Sequence, residues 1–83
     1  MKRARVLTLD ELLAIKDQAV WLQYKSAYTP DHYEMFPDCP LYGADNRVLF
    51  VSGRVQAKGL YGKQWRCWTL KPTEAEAKDW LPK

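Results

Sequence analysis

Hydrophobic and polar positions along the chain change period several times, and each change marks an element. Leu9, Leu12, Leu13 and Ile15 recur at helical spacing, while Asp10, Glu11, Lys16 and Asp17 fall between them. Thr8 stands where an N-cap belongs and Glu11 three residues on, the spacing of a capping box, with Leu7 and Leu12 placed to staple over it. This predicts a helix over about 8–17 that covers a sheet. Period two takes over in Ala19-Val20-Trp21-Leu22-Gln23-Tyr24-Lys25, a strand with Val20, Leu22 and Tyr24 on one face and Trp21, Gln23 and Lys25 on the other. The link between the two is only one or two residues, so they are expected to be neighbours.

Ser26 to Asn46 mixes breakers (Pro30, Pro37, Pro40, Gly43, Asp45, Asn46) with Tyr28, Tyr33, Met35, Phe36, Leu41 and Tyr42, too apolar for a solvated linker. It reads as a long connection, ordered or partly mobile, with a strand-like piece around 32–36 and a turn at Asp45-Asn46. Arg47 to Gln56 is predicted as the strongest strand, its Val48-Leu49-Phe50-Val51 run suggesting burial on both faces, with Gly53 marking a bulge or a close approach. Ala57 to Lys63 links it to Trp65–Leu70 as the second arm of a hairpin. Thr73 and Glu76 repeat the capping box and start a short helix over about 74–80, which Leu81 and Pro82 end.

The predicted class is therefore α+β: one domain over residues 1–83, an antiparallel sheet of three or four strands, an N-terminal helix and a short C-terminal one. Trp65 and Trp68 stand three apart on a strand and so point to opposite faces. One fills the core; the other needs a second layer of cover or a partner. Trp80 is a candidate cover.

Composition sharpens this picture. Eighty-three residues build only a small core, offset by four Trp, five Tyr and two Phe. With 47% apolar and 28% charged residues the chain reads as globular rather than disordered. There is no apolar run near the roughly 20 residues of a membrane span, and no h-region follows the basic start, so the expectation is a cytosolic protein without a signal peptide.

The net charge of +3 is uneven. Asp31, Glu34, Asp38 and Asp45 fall in a stretch without cations. Arg47, Arg54, Lys58, Lys63, Arg66 and Lys71 follow in one without acids. Either the two stretches lie against each other, or the basic hairpin meets an anionic partner.

Candidate chemistry is sparse. His32, Cys39 and Cys67 with Asp31 or Asp38 are zinc-ligand types without paired zinc spacing. Cys67 shares its strand face with Trp65, as a buried thiol does. Cys39 or Cys67 beside His32, or the carboxylates Asp31 and Glu34, form no specific catalytic pattern. No glycine motif cradles phosphate. The reading is a non-enzymatic chain without cofactor or metal. Cations interleaved with Tyr61, Trp65 and Trp68 suit a single nucleic-acid strand lying over hairpin 47–71. The same residue types dominate protein interfaces, and Arg54, Lys58, Tyr61, Lys63, Arg66 and Trp68 are the candidate binding residues.

Tyr61-Gly62-Lys63-Gln64-Trp65-Arg66-Cys67-Trp68-Thr69 with Pro72-Thr73 resembles the C-terminal signature of short proteins encoded by phages and prophages of Gram-positive bacteria. There the aromatic run leads into a Pro-Thr cap, often through an Arg where this chain has Lys71. Arg5 to Glu11 and Val20-Trp21-Leu22 are also similar to that group, whereas Ser26–Asn46 departs from it. The resemblance implies a viral accessory protein in the host bacterial cytosol. The resemblance implies no particular activity, but small phage proteins of this sort often bind and block host machinery, CRISPR nucleases included. The expected function is host-protein binding, with inhibition of an antiviral nuclease as its candidate form and nucleic-acid binding as the alternative.

Overall fold

The computed structural model of the chain describes residues 3–15, 18–25 and 32–80. The class is α+β as the pattern predicts, but the strands divide into two three-stranded antiparallel sheets. Helix α1 spans Leu9–Ala14, capped by Thr8 with the full capping box to Glu11. It stops earlier than the periodicity implies because Ile15 turns to an extended conformation and packs against the core. Positions 16–17 of the predicted helix lie outside the described residues.

The first sheet holds β1 (Val20–Lys25) at its centre, flanked by β2 (Tyr33–Asp38) and β6 (Trp65–Trp68). The free edge of β6 is closed by the chain start: Leu7 N–H donates to the Cys67 carbonyl and Thr69 N–H to the Arg5 carbonyl, each at 2.9 Å. The second sheet runs β3 (Pro40–Ala44), β4 (Arg47–Phe50) and β5 (Val55–Ala57). Both β2 and β3 lie within the stretch read as a connection. The strand-like piece expected around 32–36 is β2, which runs on past Pro37, whereas Pro40 obscured β3. Each strand is at a sheet edge, where a missing N–H is tolerated. The 26–31 part of that connection, and the Leu81-Pro82 stop, lie outside the described residues.

The predicted strand 47–56 is instead a tight hairpin. Gly53, at φ 95°, lets the chain reverse; its N–H donates to the Phe50 carbonyl at 2.9 Å, and Phe50 N–H to the Arg54 carbonyl at 2.9 Å. Nothing approaches the space a Cβ at Gly53 would fill, so the turn rather than close packing requires glycine. Burial on both faces does not hold either: Val48 and Phe50 are buried, but Val51 is 61% exposed. Consequently β6 is not the second arm of a hairpin with β4. It crosses to the other sheet and pairs with β1, Trp21 opposite Trp68 and Tyr24 opposite Trp65.

The core lies between the two sheets and α1: Leu7, Leu12, Val20, Leu22, Val48, Phe50, Trp65 and Cys67, with Tyr24, Phe36 and Tyr61 packed around them. Trp65 ties the layers together. It sits edge-on to Phe50 (6.1 Å) and Tyr61 (4.7 Å), and its indole N–H donates to the Ala57 carbonyl of β5 at 2.7 Å. Helix α2 (Glu74–Lys78), with its own capping box from Thr73, lies over the opposite face of the first sheet and buries Ala77.

Truncating Trp65 to Ala should cost about 3–5 kcal/mol, enough to leave much of so small a domain unfolded, as read from urea denaturation. A second outcome concerns α1. Arg5 donates to both Glu11 carboxylate oxygens at 2.8 Å and Thr8 N–H adds a third bond at 2.9 Å. These hold the Glu11 carboxyl at about 2, below its ordinary 4.5. Because the folded value is the lower one, its stabilisation is complete above the ordinary value and fades as pH falls from about 4.5 towards 2. A titration of Tm against pH should show acid loss in that window, diminished in Glu11→Gln.

Candidate functional site

The two faces of β6 separate the residues that sequence placed in one cluster. Trp65 and Cys67 face the core, while Arg66 and Trp68 face α2. Tyr61 belongs to the first set. Its hydroxyl donates to the Leu7 carbonyl at 2.6 Å and accepts from Cys67 N–H at 3.2 Å; burial pushes its pKa up to about 12. Tyr61, Arg66 and Trp68 therefore do not form a shared binding surface.

Trp68 is the main correction. It is buried at 5% exposure, because α2 supplies the second layer of cover. Its indole N–H donates at 2.8 Å to Oε1 of Gln23, which also accepts from Arg66 Nε at 2.8 Å. Gln23 Nε2 donates to the Ala77 carbonyl at 2.6 Å, and Arg66 Nη2 reaches that carbonyl at 3.2 Å. The Arg66 guanidinium lies 4.8 Å from the Trp68 ring and 4.6 Å from the Trp80 ring, with Lys25 Nζ 4.4 Å from Trp80. Burial lowers the Arg66 pKa, opposed by the charge of Asp79. Arg66 is thus a structural clasp for the last carbonyls of α2. Trp80 does cover this face, its indole N–H bonded to the Gly62 carbonyl at 2.7 Å.

Gln23 is the residue that sequence reasoning missed. Alternation placed it on one face with Trp21 and Lys25. The signal available was that a face holding Trp21 needs cover; its pairing opposite Trp68 came only from the structure.

Lys58 is half-buried, its ammonium donating to the Asp45 carbonyl at 3.0 Å. Arg54 and Lys63 are exposed. Asp38 is buried and accepts from Ser52 Oγ at 2.6 Å and Cys39 N–H at 2.9 Å. Among the described residues no ion pair joins the acidic stretch to the basic one; ion pairs form elsewhere, at Arg5–Glu11 and Glu74–Lys78. No group of three or more His, Cys, Asp or Glu with metal-binding geometry occurs among the described residues; Asp31 lies outside them. The Cys67 thiol is buried and pushed up to about 12, first by desolvation and then by the Asp38 charge. No described helix is long and apolar enough to cross a membrane.

What remains outward is the far side of the second sheet. Leu49 and Val55 are direct cross-strand partners on the face opposite Val48, with Arg47 two residues from Leu49. Leu41, Val51, Val55 and Leu60, four of the five exposed large apolar residues among those described, all lie between 41 and 60. Comparisons with protein-family models, curated proteins and solved structures find no match.

Replacing Gln23 with Ala would strip partners from the Trp68 indole and weaken the hold on α2. Each group left unsatisfied costs about 1–3 kcal/mol. The expected signature is a fall in Tm with loss of hydrogen-exchange protection in α2 first.

Proposed function

We propose that this chain is a non-enzymatic accessory protein of phage or prophage origin that acts in the host bacterial cytosol by binding a host protein, with an antiviral nuclease of CRISPR type as the candidate target. The viral setting and the target class rest on the resemblance carried by Tyr61 to Thr69 with Pro72-Thr73. The binding itself rests on one observation: exposed aliphatic side chains gather on the second sheet, beside Arg47 and Arg54. Surface apolar residues scattered singly need no explanation, but Leu49 and Val55 pair directly across the strands with Arg47 two residues away, and an apolar pair beside a cation suits an interface. The nucleic-acid alternative keeps its cations and loses its stacking platform, since Trp65 and Trp68 are buried.

The test is plasmid interference in cells carrying a targeting CRISPR nuclease, run against several nuclease types. Co-expression should restore uptake of the targeted plasmid, and the chain should co-elute with the nuclease at fixed stoichiometry. Leu49→Glu with Val55→Glu should weaken that complex by at least about tenfold, some 1.4 kcal/mol, with Tm little changed. No protection and no complex with any nuclease would remove the nuclease target. Salt-sensitive binding to labelled single-stranded oligonucleotides would favour the alternative.

A further inference from the structure

We infer that the β4–β5 turn, Phe50 to Val55, is a preorganised docking tip for an acidic segment of a partner protein that also carries aliphatic side chains. The inference rests on the protein-binding reading above and names the chemistry of its partner. Val51, at the apex, is the most exposed large apolar residue described, at 61%, and Val55 beside it is 48% exposed.

This exposure belongs to a fastened turn. Val51 N–H donates to the Cys39 carbonyl at 2.9 Å. Ser52 is gripped by Asp38, through Oγ at 2.6 Å and N–H at 3.4 Å. Phe50–Gly53 and Phe50–Arg54 backbone bonds close the loop. Burying a carboxylate is costly unless it is fully hydrogen-bonded, and here one is spent on holding a solvent-facing turn. A surface held this way loses little conformational freedom on binding.

Arg54 supplies the specificity. Its guanidinium carbon lies 4.2 Å from the Phe36 ring and 5.3 Å from the Tyr24 ring. Among the described residues no hydrogen bond or ion pair engages that guanidinium, although Glu34 stands opposite Tyr24 on the adjacent strand. A planar fork held against rings, with no partner for its donors among the described residues, is suited to a carboxylate.

Charge decides between occupants. Arg54 is the one cation of the 50–55 turn; Arg66 is turned inward over Trp68 and Trp80, and Lys58 is bonded to the Asp45 carbonyl. A second copy docked tip to tip would set Arg54 against Arg54. A nucleic acid would use Arg54 and leave Val51 and Val55 unmatched. An acidic protein segment with aliphatic side chains satisfies both.

The test immobilises the full chain and selects a random dodecapeptide display library against it. Enriched peptides should place Asp or Glu beside aliphatic residues. In amide-resolved NMR the synthesised winner should shift resonances of Phe50 to Val55. Arg54→Glu should weaken that peptide at least about tenfold. Because this change also removes the stack on Phe36, Val51→Ser serves as an independent variant expected to weaken binding with Tm unchanged. The inference is overturned by neutral or basic winners, by no enrichment, by shifts elsewhere, or by variants that bind as the parent does. Concentration-dependent shifts of the tip in the chain alone would replace the partner with a second copy. Displacement of the peptide by oligo-dT would replace it with nucleic acid. If the tip fails while nuclease protection holds, only this inference falls; if both fail, the protein-binding reading falls with it.

Discussion

One side-chain amide holds the outer half of this molecule in place. Gln23, buried in the central strand of the first sheet, accepts from Arg66 and Trp68 on β6 and donates to Ala77 on α2. Helix α2 has five residues and buries one of them, Ala77, so apolar area alone cannot dock it. A helix this short is marginal without tertiary support. It stays because its terminal carbonyls meet donors that the sheet presents in fixed positions. No buried side-chain polar atom among the described residues lacks a partner. A buried polar network that is complete in this way specifies one arrangement.

That network also explains where the aromatic residues went. A strand with tryptophan on both faces needs two layers of cover. The core supplies one for Trp65, through Phe50 and Tyr61; α2, Trp80 and the Gln23 network supply the other for Trp68. Arg66 is drawn inward with it, over two indole rings. The surface left to recognition is consequently aliphatic and cationic rather than aromatic.

The two sheets thereby divide their labour. The first is covered on its core face by the second sheet and α1, and on its other face by α2. The second is covered on its inner side, where Val48 and Phe50 point, while Val51 and Val55 are left exposed. The buried Asp38 joins the sheets, since it lies at the end of β2 and fastens Ser52 at the β4–β5 turn. Any motion of that turn relative to the core must break this bond.

Local chemistry was legible in the sequence. Thr8 with Glu11 and Thr73 with Glu76 form the capping boxes their spacing predicts, because those bonds span only three residues. The strand at Val20–Lys25, the turn at Asp45-Asn46 and the opposite orientation of Trp65 and Trp68 follow from backbone periodicity. Pairing was not legible. Whether β6 joins β4 or β1 depends on which neighbours bury Trp65, and those come from distant parts of the chain. The strand-like piece expected around 32–36 is β2, while the prolines at 37 and 40 hid its end and the whole of β3, because edge positions tolerate what central ones do not. The role of Gln23, and with it the burial of Trp68 and Arg66, exists only once three separate segments meet. Sequence alone set the chemistry available at each position; the tertiary structure decided which groups are left facing water, because burial is a property of contacts between segments.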